Sequence, residues 1–105
     1  IYNKTTIDAT AIATASLDLS LGNYFVILDD SNPSGLNIEA TNLTEGQPIT
    51  VIIDSSASSQ TITSGTNVSI YQPGSVTPST SNLGPCVANG IVYNGTLQLV
   101  YNKRQ

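Results

Sequence analysis

The chain has 105 residues, of which only 10% are charged, and a formal net charge of −4; about 25% charged is usual for a soluble domain. Its basic residues, Lys4, Lys103 and Arg104, sit near the two ends, so no basic stripe exists to neutralise phosphates, and neither nucleic acid nor an anionic membrane surface is an expected partner. Histidine is absent and cysteine occurs once, at Cys86, which excludes Ser-His-Asp and Cys-His triads, the commonest zinc ligand and an intrachain disulfide.

Residues 1–14 are rich in Thr and Ala and alternate weakly at Ile7, Ala9 and Ala11. They predict an edge strand or an extended arm ahead of a single domain over residues 15–105. Ile1 in first place suggests a processing point or the start of the ordered part of a longer chain. Ala15, Leu17, Leu19 and Leu21 alternate with Ser16, Asp18 and Ser20, the period of a half-buried strand. Gly22-Asn23 makes a turn into residues 24–28, a continuous apolar run that reads as a strand buried on both faces. Residues 29–35 are turn chemistry. Leu36, Ile38 and Ala40 mark the next strand, which is expected to pair with the apolar strand at residues 49–53 around the turn at residues 42–47.

Short strands follow at residues 60–63 and 68–71. Residues 72–85, with three prolines and two glycines, form a long loop. Residues 86–93 and 96–101 flank Asn94-Gly95, the preferred pair for a type I′ hairpin. That turn sets Tyr93 opposite Thr96 and Val92 opposite Leu97. Cys86, Ala88, Gly90 and Val92 then share a core face with Leu97, Leu99 and Tyr101. About 7–9 short strands and no helical periodicity predict an all-β fold, an antiparallel β-sandwich or jelly-roll-like barrel. No clean internal repeat is visible. No apolar run approaches the roughly 20 residues of a membrane-spanning helix.

Few residues are placed for chemistry. Asp29 and Asp30 are adjacent, so on a strand they point to opposite faces; Asp18, Glu39 and Asp54 are isolated. Asp30, Asn32, Ser34 and Gly35 match the first half of a calcium loop, but Thr41 stands where the bidentate acid belongs and Pro33 stiffens the segment. An Asx-type turn accounts for it better. Asn3-Lys4-Thr5, Asn42-Leu43-Thr44, Asn67-Val68-Ser69 and Asn94-Gly95-Thr96 match the glycosylation pattern, as a chain rich in Asn, Ser and Thr readily does. Cys86 reads as a small buried hydrophobe. No catalytic, cofactor-binding or metal-ligating residue is therefore assigned, and no enzyme activity or cofactor is expected.

Monomeric β proteins blunt exposed sheet edges with lysines and inward charges. Between Thr5 and Asn102 this chain has neither Lys nor Arg. Its edges are best covered by other copies, and we expect a homo-oligomer, with a trimer as the leading state. Tyr71, at the mouth of the long loop, is an aromatic of the kind that can stack on a sugar, although packing is the commoner role.

Residues 22–101 resemble small β-domains of tailed-phage structural proteins: tail fibres, head fibres and capsid decoration proteins. The resemblance is carried by the strand entered at Asn23-Tyr24-Phe25-Val26 and by the Glu45-Gly46-Gln47-Pro48 turn into Ile49-Thr50-Val51-Ile52-Ile53. Gln60-Thr61-Ile62-Thr63, the Gly-Pro-rich span after it, and the hairpin Ile91-Val92-Tyr93-Asn94-Gly95-Thr96-Leu97 complete it. The chain departs from such domains in lacking Trp in its middle strands. The resemblance implies a virion-surface component that assembles, often as a trimer, and attaches to a major capsid or other virion protein. It also implies that residues 1–14 are an attachment arm, and that the loops at residues 54–60 and 72–85 are exposed tips or inter-subunit contacts. A carbohydrate-binding receptor module that meets a host-surface glycan, and a pilin-like extracellular subunit, are the alternative roles.

Overall fold

A computed structural model describes residues 4–9, 14–29, 35–56, 60–74 and 76–104. Nine strands run through them: β1 (Lys4–Asp8), β2 (Thr14–Asp18), β3 (Tyr24–Asp29), β4 (Leu36–Thr41), β5 (Pro48–Ser55), β6 (Ile62–Ser64), β7 (Val68–Tyr71), β8 (Cys86–Tyr93) and β9 (Thr96–Asn102). They form a six-stranded sheet in the order β1-β3-β5-β8-β9-β7 and a three-stranded sheet in the order β2-β4-β6. The all-β expectation holds, with β1 as an edge strand.

The antiparallel expectation does not hold. β1–β3, β3–β5, β2–β4, β4–β6 and β7–β9 all pair in parallel; only β5–β8 and β8–β9 are antiparallel. From β1 to β6 the chain alternates between the two sheets, and each strand lies beside the one laid down two strands earlier, as in a solenoid. Tyr24 thus sits beside Thr50, and Leu36 beside Ile62. β4 and β5 do not pair, because the turn between them carries the chain from the small sheet to the large one. Asn42 and Gly46 hold positive φ there (56° and 84°), and the Gln47 N–H bonds the Thr44 carbonyl at 3.0 Å. Among the described residues, the Asn94-Gly95 turn alone returns a strand directly onto its predecessor.

Alternation fills the space between the sheets. Phe25 and Ile27 of β3, Val51 and Ile53 of β5, and Leu36 and Ile38 of β4 are buried. The strand beginning at Ala15 is shorter than its leucines suggest. Asp18 accepts from the Ser20 N–H at 3.1 Å and caps a 3-10 turn over Leu19–Leu21. Leu19 stays in the core and Leu21 is exposed. The Gln47 amide donates to the Leu19 and Gly22 carbonyls at 2.9 and 3.0 Å, binding that turn to the start of β5.

The β8–β9 hairpin has the expected register, Tyr93 opposite Thr96 and Val92 opposite Leu97. Asn94 and Gly95 both have positive φ, as a type I′ turn requires. The Glu45 carboxylate accepts from their N–H groups at 2.8 and 3.4 Å. Cys86, Ala88, Val92, Leu97, Leu99 and Tyr101 face the core. The loop at residues 72–85 is not wholly an exposed tip. The Ile62 N–H bonds the Pro78 carbonyl, the Thr80 N–H bonds the Gln60 carbonyl, and the Tyr101 hydroxyl donates to the Ser79 carbonyl at 2.9 Å. Thr80 and Ser81 are buried by this return. Burial, and then the neighbouring Cys86, push the Tyr101 phenol far above its ordinary titration range.

Two tests follow from local geometry. A Cβ on Gly90 would overlap the Gln98 carbonyl oxygen across the hairpin. Gly90→Ala should therefore cost roughly 2–3 kcal/mol in urea denaturation; a change within about 0.5 kcal/mol, the size of an ordinary surface substitution, would contradict that close approach. The Asp18 carboxyl is held below the usual carboxylate range by hydrogen bonds from the Asn42 amide and from the Ser20 hydroxyl and N–H. A depressed folded pKa contributes stability in full above about pH 4 and loses it as pH falls through the folded value. Thermal melts between pH 5 and pH 2 should decline less steeply in Asp18→Asn than in the parent, and equal slopes would refute the linkage.

Candidate functional site

The two sheets have different outer faces. On the small sheet the outward positions are Thr14, Ser16 and Asp18 of β2, and Asn37, Glu39 and Thr41 of β4, all hydroxyl, amide or carboxylate. They bond one another: the Ser16 hydroxyl donates to Glu39 at 2.8 Å and the Asn42 amide to Asp18 at 2.9 Å. This is an ordinary solvated face.

The large sheet presents apolar side chains outward. Across its middle, the register sets Lys4, Tyr24, Thr50, Asn89, Val100 and Tyr71 side by side. The next outward row towards the start of β5 places Pro48 beside Ile91; the row on the opposite side places Val26, Ile52 and Val87 together. Ile91 is 47% exposed, Val100 43% and Tyr71 53%. Val26 and Ile52 are half-buried, so β3 and β5 are not buried on both faces as their composition suggested. Alternation sends one side of each strand to the core, and no described element covers the other. At the centre, the Thr50 hydroxyl donates to the Asn89 side-chain carbonyl at 3.1 Å. Among the described residues, the charges on this face are Lys4 and Asp8 on edge strand β1 and Asp54 near the end of β5. A shallow cleft of about 360 Å³ opens on it, lined by Asn23, Tyr24, Pro48 and Thr50.

Residues considered for chemistry are dispersed. Asp29 is buried at the end of β3 beside Ser55, while Asp30, Asn32, Pro33 and Ser34 lie outside the described residues. Asp18 and Glu39 accept hydrogen bonds on the outer face of the small sheet, and Asp54 stands on the large one. No group of three or more His, Cys, Asp or Glu able to hold a metal ion occurs among the described residues. Cys86 is buried, and its sulfur accepts from the Arg104 N–H at 3.2 Å.

Backbone geometry explains the glycosylation-like asparagines. Asn42, Asn67 and Asn94 all have positive φ, a conformation Asn tolerates better than other side-chain-bearing residues. The Asn42 amide is bonded to Asp18, and the Asn67 amide to the Ala40 carbonyl at 3.1 Å. Asn3 lies outside the described residues.

The outer face of the large sheet is thus the candidate site, suited to non-covalent contact. Tyr71, singled out from the sequence, lies on it, and Ile91 is on the side away from the core, as the hairpin register predicts; Tyr24 and Val100 were not anticipated there. The signal that could have found Tyr24 is the apolar residues on both parities of β3 and β5. No family model, curated protein or solved structure matches the chain.

Asn67→Ala should lose about 1–2 kcal/mol through the left-handed backbone and the lost amide bond, and Asn67→Gly should recover part of that loss. Denaturation curves that place Gly no better than Ala would rule out the conformational explanation.

Proposed function

We infer that this chain is a structural protein of a virion surface, a capsid-decoration or fibre domain of the tailed-phage type, that works by assembling with its own copies and attaching to the particle. The observation that carries this is the contrast between the outer faces. The small sheet is finished with polar groups, whereas the large sheet ends in Tyr24, Pro48, Ile91, Val100 and Tyr71 with little charge among them. An exposed apolar face of this kind, interrupted at its centre by the uncharged Thr50–Asn89 pair, supports an interaction surface. The hairpin and strand signals within residues 22–101 support the phage-type assignment by resemblance.

The cleft beside Tyr24 favours a second reading, recognition of a neutral glycan. Tyr24 offers a ring face, and Asn23 and Thr50 offer uncharged hydrogen-bonding groups.

Incubation of the purified chain with empty particles, followed by sedimentation, separates the two. Saturable, stoichiometric capture is expected. Absence from particles together with glycan-array binding that Tyr24→Ala abolishes would transfer the assignment to the second reading.

A further inference from the structure

Apolar residues on both faces are the composition of strands covered on both sides. β3 and β5 have it: Phe25, Ile27, Val51 and Ile53 point inward, and Tyr24, Val26, Pro48 and Ile52 point outward. The described elements supply one of the two covers.

We propose that a second copy of this chain supplies the other, through a two-fold contact between the outer faces of the two six-stranded sheets, with the axis along the strands midway between β5 and β8. This deepens the assembly reading above and rests on it. The midline is the natural centre because three strands lie on each side of it.

Rotation about that axis lays β5 on the partner's β8 and keeps each row in place. Pro48 then meets the partner's Ile91, and Ile52 meets the partner's Val87, apolar against apolar. Thr50 meets the partner's Asn89, so the polar pair at the centre of the face finds a polar pair opposite. At the rim, Lys4 of β1 is carried over the partner's Tyr71 on β7, a cation–π pairing. No like charges are opposed. An axis across the strands through the central row would instead set Lys4 against the partner's Lys4.

Sheets packed this way stay within about 30° of alignment, about 10 Å apart, so the central matches survive the twist. Six strands of four to eight residues, about half of them facing outward, present about 500–600 Å² of projected face per copy. Two copies reach roughly 1,000 Å², the lower bound of a specific interface. Val26 meets the partner's Asn102 at the end of that row, so its apolar match is confined to the two central strands. A shell protein or glycan would not require this central self-complementarity.

The test is sedimentation of the full chain at nanomolar to micromolar concentration. A dimer is expected. Ile91→Lys, whose side chain is already exposed in the single chain, should weaken it at least about tenfold and leave the melting temperature within a few degrees. Chains carrying Pro48→Cys should cross-link through a short bis-maleimide to chains carrying Ile91→Cys, and more efficiently than either variant with itself. A wild-type monomer, a trimer, or a dimer indifferent to Ile91→Lys would overturn the proposal. So would a monomer whose particle or glycan binding is lost in Ile91→Lys, because the face would then belong to that occupant. A monomer still captured stoichiometrically by particles overturns the two-fold pairing alone; a dimer that no particle captures overturns only the virion assignment.

Discussion

The fold depends on each turn of the chain lying in parallel register on the turn before it. β5 beside β3 and β6 beside β4 bring Val51 next to Phe25 and Ile62 next to Leu36, so every new turn extends both sheets and the core between them. Parallel pairs need long connections. Here the opposite sheet is that connection, so no helix is required. Charge is so scarce that ion pairs contribute little; the elements are tied instead by amides and carboxylates, as with Gln47 across the Leu19 turn and Glu45 across the hairpin tip.

Much of this was legible in the residues. Period-two alternation located the strands, and Asn94-Gly95 fixed the register of β8 and β9 to the residue. Strand direction was not legible, because alternation is identical in parallel and antiparallel pairs. The β4–β5 turn has hairpin-like punctuation, and only the pairing of β4 and β5 with different sheets shows it stepping between layers. The successive turns do not register as sequence repeats, since paired positions differ in residue type and in spacing: Lys4 lies beside Tyr24, but Tyr24 beside Thr50. The long loop was legible as a loop, but its inward return rests on backbone bonds such as Thr80 to Gln60, which no side-chain pattern announces.

The apolar outer face illustrates a different limit. Residues 24–28 satisfy the composition of a doubly buried strand, and composition cannot say whose atoms do the burying. Val26 and Ile52 lie half-covered within the single chain, and the proposed interface rests on this discrepancy between expected and observed burial. The small sheet, with Ser16 and Glu39 bonded to each other on its outer side, shows what the same chain does with a face meant for water.

The position of β7 bears on how the molecule is synthesised. Val68–Tyr71 precedes the hairpin in the chain, yet its neighbour in the sheet is Thr96–Asn102. While the ribosome is still making residues 72–95, this strand has no sheet neighbour to pair with, and the open flank of β5 waits for β8. The growing polypeptide therefore carries two unmatched sheet borders until its final strands emerge, a hazard for misassociation. The charge-free hairpin must meet that risk by closing quickly, and the two-residue turn at Asn94-Gly95, which joins the most local strand pair among the described residues, is well suited to that task.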